Sequence, residues 1–325
     1  MSFWHSQPVC RPTDDLRRPG EITPPPPNPT ATPLPAGLRW ELPTTEDASA
    51  LLRAHSSPTL AGRLHHAAVL GIRQGSALVG CVSATPARIR VRRATLSVAV
   101  VDALCLAASH QGAGLTPLLI TELLRLLHSR GVRQALAVIA RPLPALPLVT
   151  LPVYHRALAP ARLREHGWEV DDEPPLTTPA ATLRPAQARD APQILDLLTQ
   201  QSAGKALATL HTIADIERGI LAPGAHTLLC EGVGAARFRV WRAGPVRLAR
   251  IDLLVARREP AALLAGVLAA ASRAGADMAE ALGTGRWPAA MGRAGMWRGP
   301  ESAPVYLHNW RVKPLAPRQV ALTLL

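Results

Sequence analysis

The spacing of apolar positions in the first half of the chain predicts strands around one amphipathic helix. Apolar runs on either side of Gln74, Gly75 and Ser76 predict a hairpin, and the segments LSVAVVDALCLAA and QALAVIA predict further strands. Between those two segments the leucines recur at helical spacing, and Pro117 and Gly131 are placed to open and close a helix. The leucines of its apolar face are Leu119, Leu123, Leu126 and Leu127.

The second half repeats this order of elements. The segments HTLLCEGVGAARFRVWRAG and VRLARIDLLV predict strands, and EPAALLAGVLAAASRAGADMAEAL predicts a helix. The proline-rich stretch DDEPPLTTPAATLRP separates the halves and is the predicted domain boundary. A chain of 325 residues exceeds the size at which one core usually keeps growing. We therefore expect an α+β protein with domains at residues 41–175 and 182–325.

The first forty residues contain PPPPNPTATPLPAG, in which each proline lacks a donor and has a fixed φ. Residues 1–40 are therefore predicted to form an extended arm.

The net charge of +13 raises the question of a nucleic-acid partner. Only two of the 36 basic residues are lysines, Lys205 and Lys313, and the arginines are scattered without the aromatic residues that stack on bases. The short run RIRVRR alternates with apolar residues and predicts the solvated face of a strand. We expect no nucleic-acid partner, although strongly salt-dependent retention of DNA or RNA would restore that alternative.

Other classes of protein are disfavoured by what the sequence lacks. Its apolar stretches are interrupted before they reach the length of a membrane span, and the start MSFWHSQPV is not typical of a secretory signal. The four cysteines have no metal-type spacing, which fits a reducing compartment. We expect a soluble, cytoplasmic monomer without a metal or a membrane span.

The turn QGAGLTP, between a predicted strand and a predicted helix, is the candidate phosphate site. Backbone N–H groups and the helix dipole favour an anion at such a turn, and Gly112 and Gly114 permit close approach. The spacing alone leaves a second interpretation open, in which the segment is only a tight strand-to-helix turn. A hairpin, a strand, this turn and a helix resemble the acyl-CoA-dependent transferases of the GNAT class.

Six short segments, in order along the whole chain, resemble the eukaryotic glycylpeptide N-tetradecanoyltransferases, or N-myristoyltransferases. They are FWHSQPV, LVGCVSATPARIRV, VDALCLAASHQGAGLTPLLITEL, VYHRALAPARL, TLRP, and YLHNWR with VALTLL. The resemblance implies a divergent member with a tandem pair of GNAT-like halves, each a mixed sheet flanked by helices. It implies an acyl-CoA site in the N-terminal half and transfer of a myristoyl chain to an N-terminal glycine amine. Myristoyl-CoA is then a co-substrate, glycine-initiated proteins or peptides are the acceptors, and no further cofactor is needed.

The resemblance also implies site residues. The backbone amides of Ala103 and Leu104 would hold the thioester oxygen, a contribution of about 3 kcal/mol per donor in other enzymes. Asp102 and His155 would contact the peptide. Phe3 and Trp4 would line the acyl-CoA groove, although an aromatic staple for the terminus remains an alternative for them. The other implied acyl-CoA contacts are Leu106, Gln111, Gly112, Ala113, Gly114, Leu115, Thr116 and Pro117.

The last segment carries the implied catalytic base. In the family the terminal α-carboxylate removes a proton from the substrate ammonium, which places this role on Leu325. A carboxylate with an ordinary pKa of about 3.5 is a weak base in water, and burial raises its pKa. The alternative is a final edge strand, because Val320, Leu322 and Leu324 alternate on one face.

The sequence departs from the family at several predicted contacts. The charged loop of relatives becomes Gln-Gly-Ala-Gly, the asparagine before the oxyanion amides becomes Asp102, and the acidic residue of a later motif becomes Gly283. His155 is kept, but a single histidine is more often structural. The rival interpretation is therefore a non-catalytic relative that binds acyl-CoA or a protein and transfers nothing.

Overall fold

The computed structural model describes residues 3–23, 30–55, 64, 67–139, 142–171 and 182–323. The strands of this part are β1 (Gly20–Glu21), β2 (Leu38–Glu41), β3 (Ala68–Gln74), β4 (Ala77–Val91), β5 (Ala94–Leu106), β6 (Gln134–Val138), β7 (Val149–Ala157), β8 (Arg184–Pro185), β9 (Leu207–Leu210), β10 (His226–Cys230), β11 (Gly234–Ala243), β12 (Val246–Ala256), β13 (Met278–Leu282), β14 (Trp297–His308), β15 (Trp310–Arg311) and β16 (Val320–Ala321). The helices are α1 (Thr45–His55), α2 (Leu115–Ser129), α3 (Pro160–Glu165), α4 (Ala191–Ser202), α5 (Ile213–Asp215), α6 (Pro260–Arg273) and α7 (Trp287–Arg293).

The chain forms two compact units. Unit 1 consists of Met1–Ile89, Thr95–Val149 and Pro304–Pro314, and unit 2 of Arg90–Ala94, Thr150–Ala303 and Leu315–Leu325. These units do not coincide with the predicted domains at residues 41–175 and 182–325. One reason is that residues 305–308 of β14 pair with β6, so a late segment of the chain folds with unit 1.

Unit 1 contains a mixed sheet in the order β2-β3-β4-β5-β6-β14. Among the strand pairs described in this sheet, β5 and β6 run parallel, and helix α2 connects them. Helix α2 buries Leu119 and Leu123 in a core shared with Leu70 and Ile72 of β3. Helix α1 buries Leu52 in a second cluster.

The described part of the predicted arm packs within unit 1. Val9 forms a bridge with His308, and β1 pairs with β15. Further along, the Thr32 amide donates to Oε2 of Glu122 at 2.9 Å, and the Trp40 indole donates to the Thr32 carbonyl at 2.7 Å. Hydrogen bonds to β14, β15 and helix α2 therefore hold this segment against the rest of unit 1.

Unit 2 repeats the arrangement of a parallel strand pair joined by a helix. Its sheet has the order β7-β13-β12-β11-β10-β8, and β12 pairs in parallel with β13 across helix α6. Neighbouring residues of β11 enter different clusters, since Ala235 packs with Ile194 of α4 and Ala236 packs with Leu263 of α6. Because successive side chains of a strand point to opposite faces, helices α4 and α6 cover the two faces of this sheet. The predicted α+β class, with a mixed sheet flanked by helices in each half, is confirmed.

Two predicted helix boundaries are wrong. The first helix begins at Leu115, with Gly114 as its N-cap, so Pro117 lies inside the first turn and does not open the helix. The helix predicted over residues 259–282 ends at Arg273, and Met278–Leu282 is strand β13. Gly275, at φ +79, follows the helix end, and an alanine-rich segment without β-branched residues gave no local sign of a strand.

Unit 1 buries a histidine pair at the end of β14. Both ring nitrogens of His308 are buried without a partner among the described residues, and burial, with a smaller contribution from His128, lowers the pKa of His308 to about 4. Burial also lowers the pKa of His128. Both imidazoles are therefore held neutral in the folded protein at neutral pH.

We expect this pair to make the protein sensitive to mild acid. The unfolded chain binds the His308 proton near the ordinary pKa of about 6.5, whereas the folded chain binds it only near pH 4. The stability present above pH 6.5 is therefore lost as the pH falls, by about 2 kcal/mol between pH 7.5 and pH 5. Urea unfolding at a series of pH values measures this loss.

The control compares two substitutions of the same kind. His308→Gln removes the buried titrating group and should flatten the pH dependence, while His55→Gln, on the exposed end of α1, should leave it unchanged. Equal pH dependence in all three proteins contradicts the assignment to His308.

Candidate functional site

The predicted phosphate turn connects β5 to α2 in unit 1. Strand β5 ends at Leu106, a short 3₁₀ turn follows at Ala108–His110, and the helix begins at Leu115, which is 1% exposed. Leu115 therefore anchors the helix start in the core. Residues 111–114, between the 3₁₀ turn and the helix, are exposed.

Two glycines of the turn adopt backbone conformations that other residues avoid. Gly112 has φ +82 and Gly114 has φ +73, and a Cβ at either position would meet no atom within 4 Å. Space is therefore not what requires glycine here. The requirement is the left-handed backbone, which costs other residues roughly 1–2 kcal/mol.

The backbone amides of the turn are only partly used. Gln111 and Ala113 donate long hydrogen bonds to the carbonyls of Ala108 and His110, at 3.3 and 3.4 Å. The amides of Gly112 and Gly114 have no acceptor among the described residues. Exposed N–H groups beside a helix start are the donors that a phosphate needs. Thr116 and Pro117 complete the first turn of that helix.

His110 is a further polar group at this turn that the sequence motifs did not reveal. Its Nε2 lies 3.1 Å from Oε1 of Gln74, and its Nδ1 lies 2.9 Å from Oγ of Ser109. These contacts tie the turn to the end of β3 and fix the ring beside the glycines.

The predicted oxyanion residues lie in a distorted part of β5. Ala103 is 2% exposed and has φ +52, a conformation that is rare for alanine and interrupts the regular hydrogen bonding of a strand. Side chains of β4 support the distortion, since the Ser83 hydroxyl donates to the Asp102 carbonyl at 3.1 Å and the Cys81 thiol lies 3.7 Å from the Ala103 carbonyl. Leu104, next along, is 39% exposed.

The Asp102 carboxylate accepts a hydrogen bond from one of the two predicted oxyanion amides. The Ala103 amide donates to Oδ1 of Asp102 at 2.9 Å. The predicted peptide contact is therefore a carboxylate directly beside the predicted oxyanion site. In this conformation the Ala103 amide is not free to bind a thioester oxygen.

The remaining predicted residues of unit 1 are apolar. The Phe3 and Trp4 rings contact each other edge to face, with centroids 5.1 Å apart. Leu106 packs against the α2 core, and its Cδ2 lies 2.6 Å from where a Cβ on Gly80 would stand. A side chain at residue 80 would therefore make the Leu106 side chain shift from this position.

His155, the predicted peptide contact in unit 2, has an acidic partner. Its Nε2 lies 3.2 Å from Oε2 of the exposed Glu301, and its ring centroid lies 6.1 Å from that of Trp297. Its Nδ1 is buried without a partner among the described residues. Nearby, a Cβ on Gly283 would stand 2.7 Å from the Tyr154 ring, so Tyr154 fills the space beside the missing carboxylate.

The C-terminal segment of unit 2 forms a short strand, which ends at Ala321. Val320 and Ala321 of β16 pair in parallel with Leu207 and Ala208 of β9, and the Thr323 amide donates to the Thr209 hydroxyl at 3.1 Å. Leu325, the predicted base, lies outside the described residues.

No helix within the described ranges is long and apolar enough to cross a membrane.

Comparison with known proteins gives a family match in the first unit. Residues 56–147 match the family model described as myristoyl-CoA:protein N-myristoyltransferase, N-terminal domain. A glycylpeptide N-tetradecanoyltransferase of Ajellomyces capsulatus is 28% identical over 208 residues, which cover 57% of this chain and 39% of that protein. One from Neurospora crassa is 36% identical over 99 residues, which cover 30% of this chain and 17% of that protein. The chain thus matches less than half the length of these curated relatives.

Solved structures match over nearly the whole chain. A crystal structure of Saccharomyces cerevisiae N-myristoyltransferase with bound myristoyl-CoA has a TM-score of 0.85 at 18% identity, and the match covers 99% of both chains. At this identity the likeness establishes the fold. The resemblance expected from the six sequence segments is confirmed: the chain is similar to the N-myristoyltransferases in the sequence of its N-terminal half and has the fold of the yeast enzyme.

Proposed function

We propose that the protein transfers a long acyl chain, myristoyl by resemblance, from acyl-CoA to the N-terminal glycine amine of a protein. The observation that carries this proposal is the β5–α2 connection of unit 1, which lies inside the segment matched by the family model. It combines a buried, distorted Ala103 with two glycine amides that have no acceptor among the described residues. The glycine amides suit a phosphate, and the Ala103 amide would suit a thioester oxygen once it has left Oδ1 of Asp102.

The proposed reaction needs neither a metal nor a covalent enzyme intermediate. The glycine amine attacks the thioester carbon, the carbonyl oxygen becomes an oxyanion, and the carbon–sulfur bond breaks as the amide forms. One proton leaves the ammonium before attack, and the second proton, which the nitrogen loses as the amide forms, ends on the departing thiolate of CoA. Leu104 would donate to the oxyanion, and Ala103 would do so once its amide has left Oδ1 of Asp102. Holding both substrates in line would supply much of the remaining rate enhancement.

The carboxylate of Leu325 is the proposed base, by resemblance alone, and stays a prediction. His155 is the proposed polar contact for the peptide. Its pairing with the exposed Glu301 and its neighbour Trp297 give this surface an acidic group and an aromatic one. The proposed partners are acyl-CoA and glycine-initiated peptides or proteins, the proposed compartment is the cytoplasm, and the proposed state is monomeric.

The second candidate is a non-catalytic protein of the same fold that binds acyl-CoA. The specific observation in its favour is the Asp102 carboxylate on the Ala103 amide. A negative charge beside a developing oxyanion opposes the charge that catalysis must stabilise.

A transfer assay tests the leading proposal. Purified protein incubated with tritiated myristoyl-CoA and a glycine-initiated octapeptide should give labelled peptide. The same peptide with an acetylated terminus lacks the attacking amine and should remain unlabelled. Labelling of both peptides, or of neither, contradicts transfer to the glycine amine.

The acyl-CoA site predicts an effect of one glycine. Gly112→Val places a β-branched residue at φ +82 and should force the turn to rearrange, which removes the aligned amides. We expect the Kd for myristoyl-CoA to rise about tenfold, which calorimetric titration measures.

Gly131→Val is the matched control. Gly131 has φ +78, also lacks any atom within 4 Å of a Cβ, and lies just beyond the other end of α2. The substitution Gly131→Val imposes similar backbone strain but leaves the turn at residues 111–114 unchanged. Equal Kd values in the two variants contradict the assignment of the phosphate site.

The carboxylate beside Ala103 predicts a variant with more activity. Asp102→Asn keeps an acceptor for the Ala103 amide but removes the negative charge. We expect kcat for peptide acylation to rise about tenfold, the effect of about 1.4 kcal/mol on the barrier. Asp15→Asn makes the same change at an exposed position and should leave kcat unaltered. If kcat of the Asp102 variant stays the same or falls, the carboxylate does not oppose the reaction.

A further inference from the structure

Unit 2 contains a cavity of about 390 Å³ at the ends of its parallel strands. This volume is within the range of small-molecule sites, at its lower end. The residues that line it come from α4 and the loop after it, from the end of β12, and from the segment between β13 and α7. They are Gln200, Gln201, Ala203, Lys205, Ala256, Arg257, Gly285, Arg286 and Trp287.

The strand pairing explains why a cavity forms here. Strands β12 and β13 pair from Leu248 with Met278 to Ile251 with Ala281, and β12 then continues to Ala256 without this partner. Ligands of parallel sheets bind in the crevice outside the carboxyl ends of the strands. Unit 1 has the same feature, since β5 pairs with β6 only as far as Val101 and then leads into the glycine turn.

The charge of the lining is one-sided. Three cations line the cavity, and the described lining includes no carboxylate. Lys205 donates to the Arg318 carbonyl at 2.9 Å, and Arg286 donates to the Ala256 carbonyl. Neither of these two has an ion-pair partner among the described residues, while Arg257 pairs with Asp196 at the exposed rim. Like charges collected in one concave site attract an anion.

Two buried polar atoms of the lining residues also lack partners within the described chain. They are the indole N–H of Trp287, a residue that is 1% exposed, and Oε1 of Gln201. The amide group of Gln201 is held in place because its Nε2 donates to the Leu254 carbonyl at 3.1 Å. A buried donor and a buried acceptor without partners are unusual in a folded protein, and here both belong to residues that line the cavity.

We propose that this cavity binds a small phosphate monoester. Lys205 and Arg286 hold the phosphate, since a guanidinium and an ammonium both form charge-assisted hydrogen bonds with phosphate oxygens. The cavity is too small for an entire acyl-CoA, so the site is separate from the one proposed in unit 1, and it does not rest on the transfer reaction.

Occupation of the cavity should also affect the segment before β16. Lys205 and Gly285 of the lining bond to the carbonyls of Arg318 and Pro317, and the Ala206 amide bonds to the Gln319 carbonyl at 2.9 Å. A ligand that fixes Lys205 therefore bears directly on residues 317–319. We expect slower hydrogen exchange in that segment when the site is filled.

Titration with glycerol 3-phosphate tests the proposal, and glycerol serves as the neutral comparison. We expect binding with a Kd of about 1 mM or tighter at physiological ionic strength, and none for glycerol. Lys205→Gln and Arg286→Gln should each weaken binding about tenfold. Lys313→Gln removes the only other lysine of the chain, which is exposed and outside the cavity, and should bind like the unaltered protein.

Further arms separate this site from the one in unit 1. Gly112→Val should keep the affinity for glycerol 3-phosphate. Lys205→Arg retains the positive charge and should also retain the affinity for glycerol 3-phosphate. This variant is measured in place of Lys205→Gln if that protein fails to fold. Absence of binding, affinity unchanged from the unaltered protein in both Lys205→Gln and Arg286→Gln, or loss of binding only in Gly112→Val overturns the proposal. If glycerol 3-phosphate binds as expected but acyl transfer is absent, the proposed function is contradicted and the cavity proposal stands.

Discussion

Parallel pairing that stops before the strands end is the constraint on which both candidate sites depend. Strands β5 and β12 each lose their parallel partner partway along and continue for several residues. Backbone groups released in this way must find other acceptors or remain available for a ligand. In unit 1 the unpaired end of β5 contains the distorted Ala103 and leads into the glycine turn. In unit 2 the unpaired end of β12 borders a cationic cavity. One backbone arrangement thus produces two places where an anion can be held.

The two proposed anion sites would use different kinds of donor. The unit 1 turn has no lysine or arginine from residue 107 to residue 117, so an anion there depends on amide donors and left-handed glycines. The unit 2 cavity has side-chain cations, and its connection to α6 has Glu259, at φ +48, where unit 1 has glycine. A left-handed Glu259 shows that this turn can be formed at a cost of roughly 1–2 kcal/mol without glycine. The repeated fold therefore does not impose a repeated site, because the donors are supplied by the backbone in one unit and by side chains in the other.

Much of the fold could be predicted from the sequence, and the failures have physical causes. The spacing of the leucines correctly predicted that α2 is a helix, because one face of it is buried and the other is not. The same reasoning failed at Met278–Leu282, because a strand buried on both faces and rich in alanine has no alternation to detect. Residues 111–117 could be proposed as a phosphate site from the sequence because they form one contiguous motif, and that assignment stays a prediction. The cavity was not predictable, because its lining comes from three separated segments that only the sheet brings together.

Asp102 shows why a motif alone does not decide activity. The sequence indicates only that an acidic residue stands where relatives have asparagine. The structure adds that its carboxylate accepts the Ala103 amide, and that Ser83 and Cys81 hold the neighbouring carbonyls, so the distorted backbone persists with this substitution. The distortion costs energy, and such strain is usually retained where it has a role. Ala103 is an ordinary residue held in an unfavourable conformation by two polar side chains of β4 and by one of its own strand. Those three contacts maintain the left-handed backbone at Ala103, so the charge of Asp102 acts on the proposed oxyanion site separately from the backbone distortion.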